Sequence, residues 1–172
     1  MEIRNSTEKD IPAIMEIIDS AKVYFFENGI DQWQNGSPNA EIIKNDIKNN
    51  ESYVICEAGK VLATAMISMR GEPTYGTISG GKWLWDGQYG VIHRVAVSPA
   101  SKKTGLASAL VDYAADLTRQ SGFLTLRADT HDDNIPMQRM LAKNGFVFCG
   151  NIVLADGSPR RAYEKILKSN IN

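Results

Sequence analysis

Lys102-Lys103-Thr104-Gly105-Leu106-Ala107 is the stretch of this 172-residue chain whose residue types and spacing most clearly suit chemistry. It follows a β-branched run, Val91-Ile92-His93-Arg94-Val95-Ala96-Val97, which Ser98-Pro99 brings to a stop, and it opens an apolar helix. The first turn of a helix leaves backbone N–H groups without intrahelical partners, and the helix dipole puts its positive end there. Such a turn is a ready anion site. Gly105 lets the backbone bend and approach a ligand, and Ala107 is too small to block it. Lys102 and Lys103 add positive charge. A pyrophosphate meets these requirements.

The elements around the turn follow from hydrophobic periodicity. Glu2 to Asn5 reads as a strand, and Thr7 with Asp10 three residues later resembles a helix-start box, with Pro12 tolerable in a first turn. Ile11, Ile14, Ile18, Ala21 and Phe25 keep helical spacing until Asn28-Gly29. A second, more polar helix runs from about Ala40 to Asn49, with Ile43 and Ile47 inward. Ser52–Glu57 and Val61–Met69 flank a tight hairpin at Ala58-Gly59-Lys60. Residues 70–90 are glycine-rich and aromatic, and predict a long loop or irregular hairpin.

Beyond the central strand Val91–Val97, Leu106, Ala109, Leu110, Tyr113, Ala114 and Leu117 form the inner stripe of a helix ending at Ser121-Gly122. Leu124–Asp129 is a strand, Asn134 caps a short helix closed by Asn144-Gly145, and Phe146–Leu154 and Arg161–Leu167 are the last strands. The order β-α-α-β-β-β-α-β-α-β-β predicts an α/β fold, with helices on both faces of a mixed sheet. The expectation is one domain over residues 1–172, in which 70–90 is an insertion loop.

Composition narrows the partners. With 43% hydrophobic and 23% charged residues the chain is an ordinary globular one, and a formal charge of −1 gives no sign of nucleic-acid or membrane-surface affinity. Basic residues cluster locally, at Lys102-Lys103 and Arg160-Arg161, as suits a small anionic ligand. Cys56 and Cys149 lie far apart in apolar segments and lack metal or redox spacing. With no signal-peptide or membrane-spanning run, a cytoplasmic enzyme is the default expectation.

Element order and motifs together resemble the GNAT superfamily of acetyl-coenzyme A-dependent N-acetyltransferases, over essentially the whole length. That family places Gln/Arg-x-x-Gly-x-Gly/Ala after a Val-x-Val strand end. Here the pattern stands as Lys102 to Ala107 after Val95-Ala96-Val97, with Lys102 keeping a donor but losing the planar geometry. A second signature, an Asn capping a short helix that ends in Gly-Phe, stands as Asn134 through Gly145-Phe146.

The resemblance implies acetyl-CoA as co-substrate, held by Val95, Ala96, Val97, Lys102, Lys103, Thr104, Gly105, Leu106 and Ala107. The strand backbone at Val95 and Val97 would take the pantetheine arm as an added strand, and the amides from Lys103 to Ala107 would hold the pyrophosphate. Asn134 would approach the pantetheine or thioester, with Met137 packed near it. Many family members carry a Tyr four residues before Gly-Phe to protonate the departing thiolate. Here Leu141 stands there, so that acid is absent, supplied elsewhere or not needed. Dimers are common among similar proteins, so a homodimer is compatible with the resemblance.

The implied reaction is direct attack of an amine on the thioester in a ternary complex. It needs orientation, removal of a proton and stabilisation of an oxyanion, for which a backbone N–H near Val95 is the family-like donor. Candidate bases are His93, Asp129 and His131, and water relaying the proton to bulk is a fourth route. His93 and Arg94 alternate along the central strand, so one would face the cofactor side and the other the opposite face. Asp129-Thr130-His131-Asp132-Asp133-Asn134 lacks the central Gly and terminal Glu of a calcium loop, and no metal is expected. Trp33, Tyr75, Trp83 and Trp85, with Tyr89, either line an acceptor pocket or form a local core under the long loop or a dimer contact.

The expected activity is acetylation of a primary amine on a small molecule or peptide. The alternative is a non-catalytic acyl-CoA-binding or regulatory module of the same fold.

Overall fold

Periodicity and turn residues set seven strands and four helices in the computed structural model, which describes residues 1–167. The strands are β1 (Glu2–Asn5), β2 (Ser52–Glu57), β3 (Lys60–Ser68), β4 (Gly90–Val97), β5 (Thr125–Thr130), β6 (Val147–Val153) and β7 (Pro159–Ile166). The helices are α1 (Ile11–Glu27), α2 (Ala40–Lys48), α3 (Leu106–Gln120) and α4 (Ile135–Lys143). The strands order as β1-β2-β3-β4-β5-β7-β6 in one mixed sheet, and the sequential order of elements is the expected one. Residues 168–172 of the expected 1–172 domain lie outside the described residues. Among those described, no helix is long and apolar enough to cross a membrane.

The chain clusters into two compact units, Met1–Ile67 with His93–Leu110, and Ser68–Ile92 with the described residues from Val111 onward. In the first, Thr7 N donates to Asp10 Oδ2 at 2.7 Å, the expected box, and α1 then runs to Glu27, with Asn28 as its C-cap. Asn39 Oδ1 caps α2 by accepting from Ile42 N at 3.1 Å. The β2–β3 hairpin turns at Ala58 and Gly59, with φ of 48° and 78°, the left-handed pair that a two-residue turn requires. Ile14, Ile17 and Ile18 of α1 and Ile43 of α2 pack on Val54, Cys56, Val61 and Ala96.

In the second unit, the first residues of β4 run parallel to β5, Gly90 opposite Leu126 and Val91 opposite Arg127. Gly90 lies against Thr118 of α3 so closely that a Cβ would collide with its Oγ1. β7 pairs antiparallel with both β5 and β6. Tyr75, Val91, Ile152 and Ala162 form a second core, flanked by Ile78, Trp83, Tyr89 and Leu154. Residues 70–90 make a single 3-10 turn, Pro73–Gly76, and a two-residue bridge, Ser79 with Asn151.

Candidate functional site

The turn after β4 is held by short local hydrogen bonds. Ser98 N donates to Leu62 O at 2.8 Å, and Pro99–Ser101 make one 3-10 turn that Ser101 N closes onto Ser98 O. Thr104 Oγ1 then donates to Ser101 O at 2.5 Å. Lys103 and Gly105 are both left-handed, with φ of 65° and 87°, and Gly105 O accepts from Ala109 N as α3 begins. Among the described residues, the amides of Lys103, Thr104, Gly105, Leu106 and Ala107 donate to no acceptor of the protein. Successive amides on alternating backbone conformations form an anion-binding concavity. A Cβ on Gly105 would meet nothing within 4 Å, so the space before it is open. The Lys102 ammonium sits 4.9 Å above the Tyr24 ring, held at the mouth of the turn.

β4 departs from the expected alternation. Arg94 has φ +54°, so the pleat that would put His93 and Arg94 on opposite faces is broken between them. Arg94 Nε and Nη2 donate to Asp46 Oδ2 at 3.1 and 2.6 Å. Burial pushes the Asp46 carboxyl above its ordinary range, against the opposing pull of the Arg94 charge; Glu51 adds to the rise, and His93 is close enough to oppose it. His93, Val95 and Val97 are half-buried, and Ala96 is buried. Trp33, left-handed at φ 60°, packs edge-on against Phe25 at 5.5 Å and joins the first core from its margin.

The second unit holds the other expected residues. Tyr75 OH donates to Asp129 Oδ2 at 2.6 Å, and Tyr75 is 1% exposed. Burial, followed by the Asp129 charge, pushes the Tyr75 hydroxyl well above its ordinary range, so it stays a donor. Tyr75 is thus core, not an open pocket wall. Trp83 Nε1 donates to Tyr75 O at 2.9 Å. His131 Nδ1 accepts from Asp133 N at 3.1 Å, and Asp132 pairs with Arg161 at 3.1 Å. Arg161 also donates to Tyr163 OH and lies over Phe148, while Arg160 donates to Pro159 O. The Arg160-Arg161 pair, expected to mark an anion patch, is therefore engaged by its own strands and Asp132. Asn134 is buried and caps α4 by accepting from Met137 N at 3.2 Å; Met137 is half-buried.

Sequence reasoning missed the anchor of the aromatic loop. Arg127, 5% exposed, and Glu164, fully buried, pair at 2.9 Å. The Arg127 guanidinium lies between the rings of Trp83 and Tyr89, at 4.1 and 3.8 Å, and donates to Trp85 O at 2.6 Å. Glu164 Oε2 accepts from Leu84 N at 2.5 Å and Trp85 N at 3.3 Å. The available signal was a charged residue inside an otherwise apolar strand, Thr125-Leu126-Arg127-Ala128. Asp46, on the apolar face of α2, left a similar trace. Trp85 is the more exposed of the loop tryptophans.

Comparison with known proteins adds the lineage. The model of the Acetyltransferase (GNAT) family matches residues 13–146. A GNAT-family acetyltransferase from Streptococcus agalactiae 2603 is 34% identical, with 98% of this chain and 96% of that chain covered and a TM-score of 0.85. A ribosomal-protein-alanine N-acetyltransferase from Brucella melitensis shares the fold at 19% identity, with 97% and 100% covered and a TM-score of 0.68. So does N-acetylglutamate synthase from Neisseria gonorrhoeae, solved with coenzyme A and N-acetyl-glutamate, at 20% identity and a TM-score of 0.65, with 98% of this chain and 35% of that chain covered. No curated protein sequence matches. With the family model spanning most of its length and a relative aligned nearly end to end, the chain belongs to the GNAT acetyltransferase family.

Proposed function

We propose that this protein is an N-acetyltransferase that moves the acetyl group of acetyl-CoA to a primary amine of a small molecule or peptide, by direct attack with both reactants bound. The observation that carries this reading is the row of unpaired amides from Lys103 to Ala107. Their number, their left-handed spacing and the open face of Gly105 fit a diphosphate. Val95, Ala96 and Val97 lead directly into that turn, where strand backbone suits a pantetheine arm. The family resemblance assigns Asn134 and Met137 to the same cofactor.

Acetyl-CoA supplies an activated thioester. The amine nitrogen forms the new C–N bond, the C–S bond breaks, and the thiol departs. The protein must orient the amine, accept its proton and steady negative charge on the acyl oxygen. The Val95 amide is the donor assigned to that oxygen, and His93, Asp129 and His131 are the candidate bases. Trp33, Trp83 and Trp85 are the aromatic surfaces assigned to the acceptor, with Tyr75 packed against Trp83. Burial pushes the thiols of Cys56 and Cys149 up, which suits direct attack better than a covalent enzyme intermediate. Leu141, 2% exposed where many family members place a tyrosine, favours a second reading as an acyl-CoA-binding module.

Two measurements separate the readings. Coenzyme A at saturation should raise the Tm by mass action, and no rise removes both. Thiol release from acetyl-CoA across a panel of primary amines then supports the enzyme. A thermal shift with no release on any amine supports the binder.

A further inference from the structure

Helix α2 turns one face to the first core, with Ile43 buried and Ile47 packed at its margin. Asp46 falls on that same face, three residues after Ile43 and one before Ile47. A carboxylate there needs a partner, because burial strips its hydration. Its partner is Arg94, which reaches it with two donors, and the Asp46 side chain is 6% exposed.

Arg94 is itself unusual. It stands in mid-strand at φ +54°, a region that non-glycine residues occupy only where their surroundings hold them. A left-handed residue in a strand turns the amide that follows off the regular alternation and re-aims the neighbouring side chains. The residue that follows is Val95, and the one before is His93. The ion pair thus grips the strand between the amide assigned to the acyl oxygen and one candidate base.

We propose that Asp46, acting through Arg94, is a positioning residue for acetyl transfer: the ion pair holds the left-handed kink in β4 that aims the Val95 amide at the acyl oxygen. The inference rests on the acetyltransferase reading. It extends that reading to helix α2, whose Asp46 acts on β4 through Arg94.

The test compares two double variants of the full chain, Asp46→Asn/Arg94→Ala and Asp46→Asn/Arg94→Gly. Both remove the ion pair without burying a lone charge, and they differ in backbone freedom, since glycine takes φ near +54° without steric cost and alanine does not. The alanine pair is expected to lose about tenfold or more in kcat, with KM for acetyl-CoA within about threefold of wild type. The rise in Tm on adding coenzyme A should persist and report a folded, binding-competent protein. The glycine pair should recover most of the lost kcat. In 1H–15N spectra the Val95 amide should shift in the alanine pair and return toward its wild-type position in the glycine pair.

Equal kcat in the two pairs, whether both lost or both retained, overturns the inference, as does an unmoved Val95 resonance in both. Should the alanine pair not fold, Arg94→Lys keeps a charge for Asp46 but loses the planar fork, and unchanged kcat in that variant overturns the inference equally. A wild-type protein that binds coenzyme A yet acetylates no amine defeats the functional reading and this role with it. An active wild type with equal pairs defeats this role alone.

Discussion

The Tyr75 hydroxyl donates a 2.6 Å hydrogen bond to Oδ2 of Asp129, so a core side chain of the long loop fixes a carboxylate near the end of strand β5. Tyr75→Phe removes the donor and leaves the rest of the ring packing in place. Hydrogen bonds to charged groups contribute about 1.5–3 kcal/mol, and a denaturant titration should show a loss of that order. If Asp129 serves the reaction, kcat should fall as well. Unchanged kcat in a destabilised variant would assign the pair to stability alone.

The Arg127–Glu164 pair should behave as a single buried unit. Glu164→Gln leaves the guanidinium with no counter-charge between Trp83 and Tyr89, and removing one partner of a buried pair costs about 3–5 kcal/mol. Because Glu164 also accepts the amides of Leu84 and Trp85, the loop should loosen with it. Limited proteolysis should then cut within residues 70–90 faster than in the wild type. An equally resistant loop would mean that the aromatic packing suffices without the carboxylate.

Gly105→Val tests the diphosphate turn. No protein atom lies where its Cβ would go, but φ +87° is strained for a β-branched residue, and the new side chain would stand in front of the amides. The variant should fold with a modest loss of Tm and show no thermal shift with coenzyme A. Wild-type affinity in a calorimetric titration would contradict the placement of the ligand.

Acid sensitivity should trace in part to the start of α1. Arg4 hydrogen-bonds the Asp10 carboxylate and, helped by Thr7 against the opposing effect of burial, holds its pKa at about 2. The unfolded carboxyl takes up its proton first as pH falls. The stabilisation is therefore full above about pH 4 and lost as pH drops through 2. Arg4 is 34% exposed, and after discounting for screening Asp10→Asn should cost about 1–2 kcal/mol near neutrality. The gap in stability between variant and wild type should close between pH 4 and pH 2 in a melting series. A constant gap would place the effect in helix capping instead of charge.

Elements and turns were legible because each rests on local signals. The Thr7–Asp10 box, the Ala58-Gly59 hairpin and the Asn134 cap are decided within a few residues, and each forms as expected. The turn after β4 was equally readable as local structure, since helix start, glycine and lysines lie together. Boundaries shifted slightly: the strand expected from Leu124 begins at Thr125. What could not be read was pairing across distance. Nothing near Arg94 names Asp46, 48 residues away, and nothing near Arg127 names Glu164, 37 residues away. The same limit hid the left-handed turn at Arg94, because a period-two pattern presumes an unbroken pleat.

Strand β6 ends the sheet, and a terminal strand offers bare peptide groups to any neighbouring molecule. Here Ser79 takes both peptide groups of Asn151, at 2.9 and 2.8 Å, and the chain passes so near that neither Gly81 nor Gly150 has room for a Cβ. The loop that carries the tryptophans thus also stoppers the margin of the sheet at its midpoint, so shortening it to probe amine preference would expose a template for aggregation.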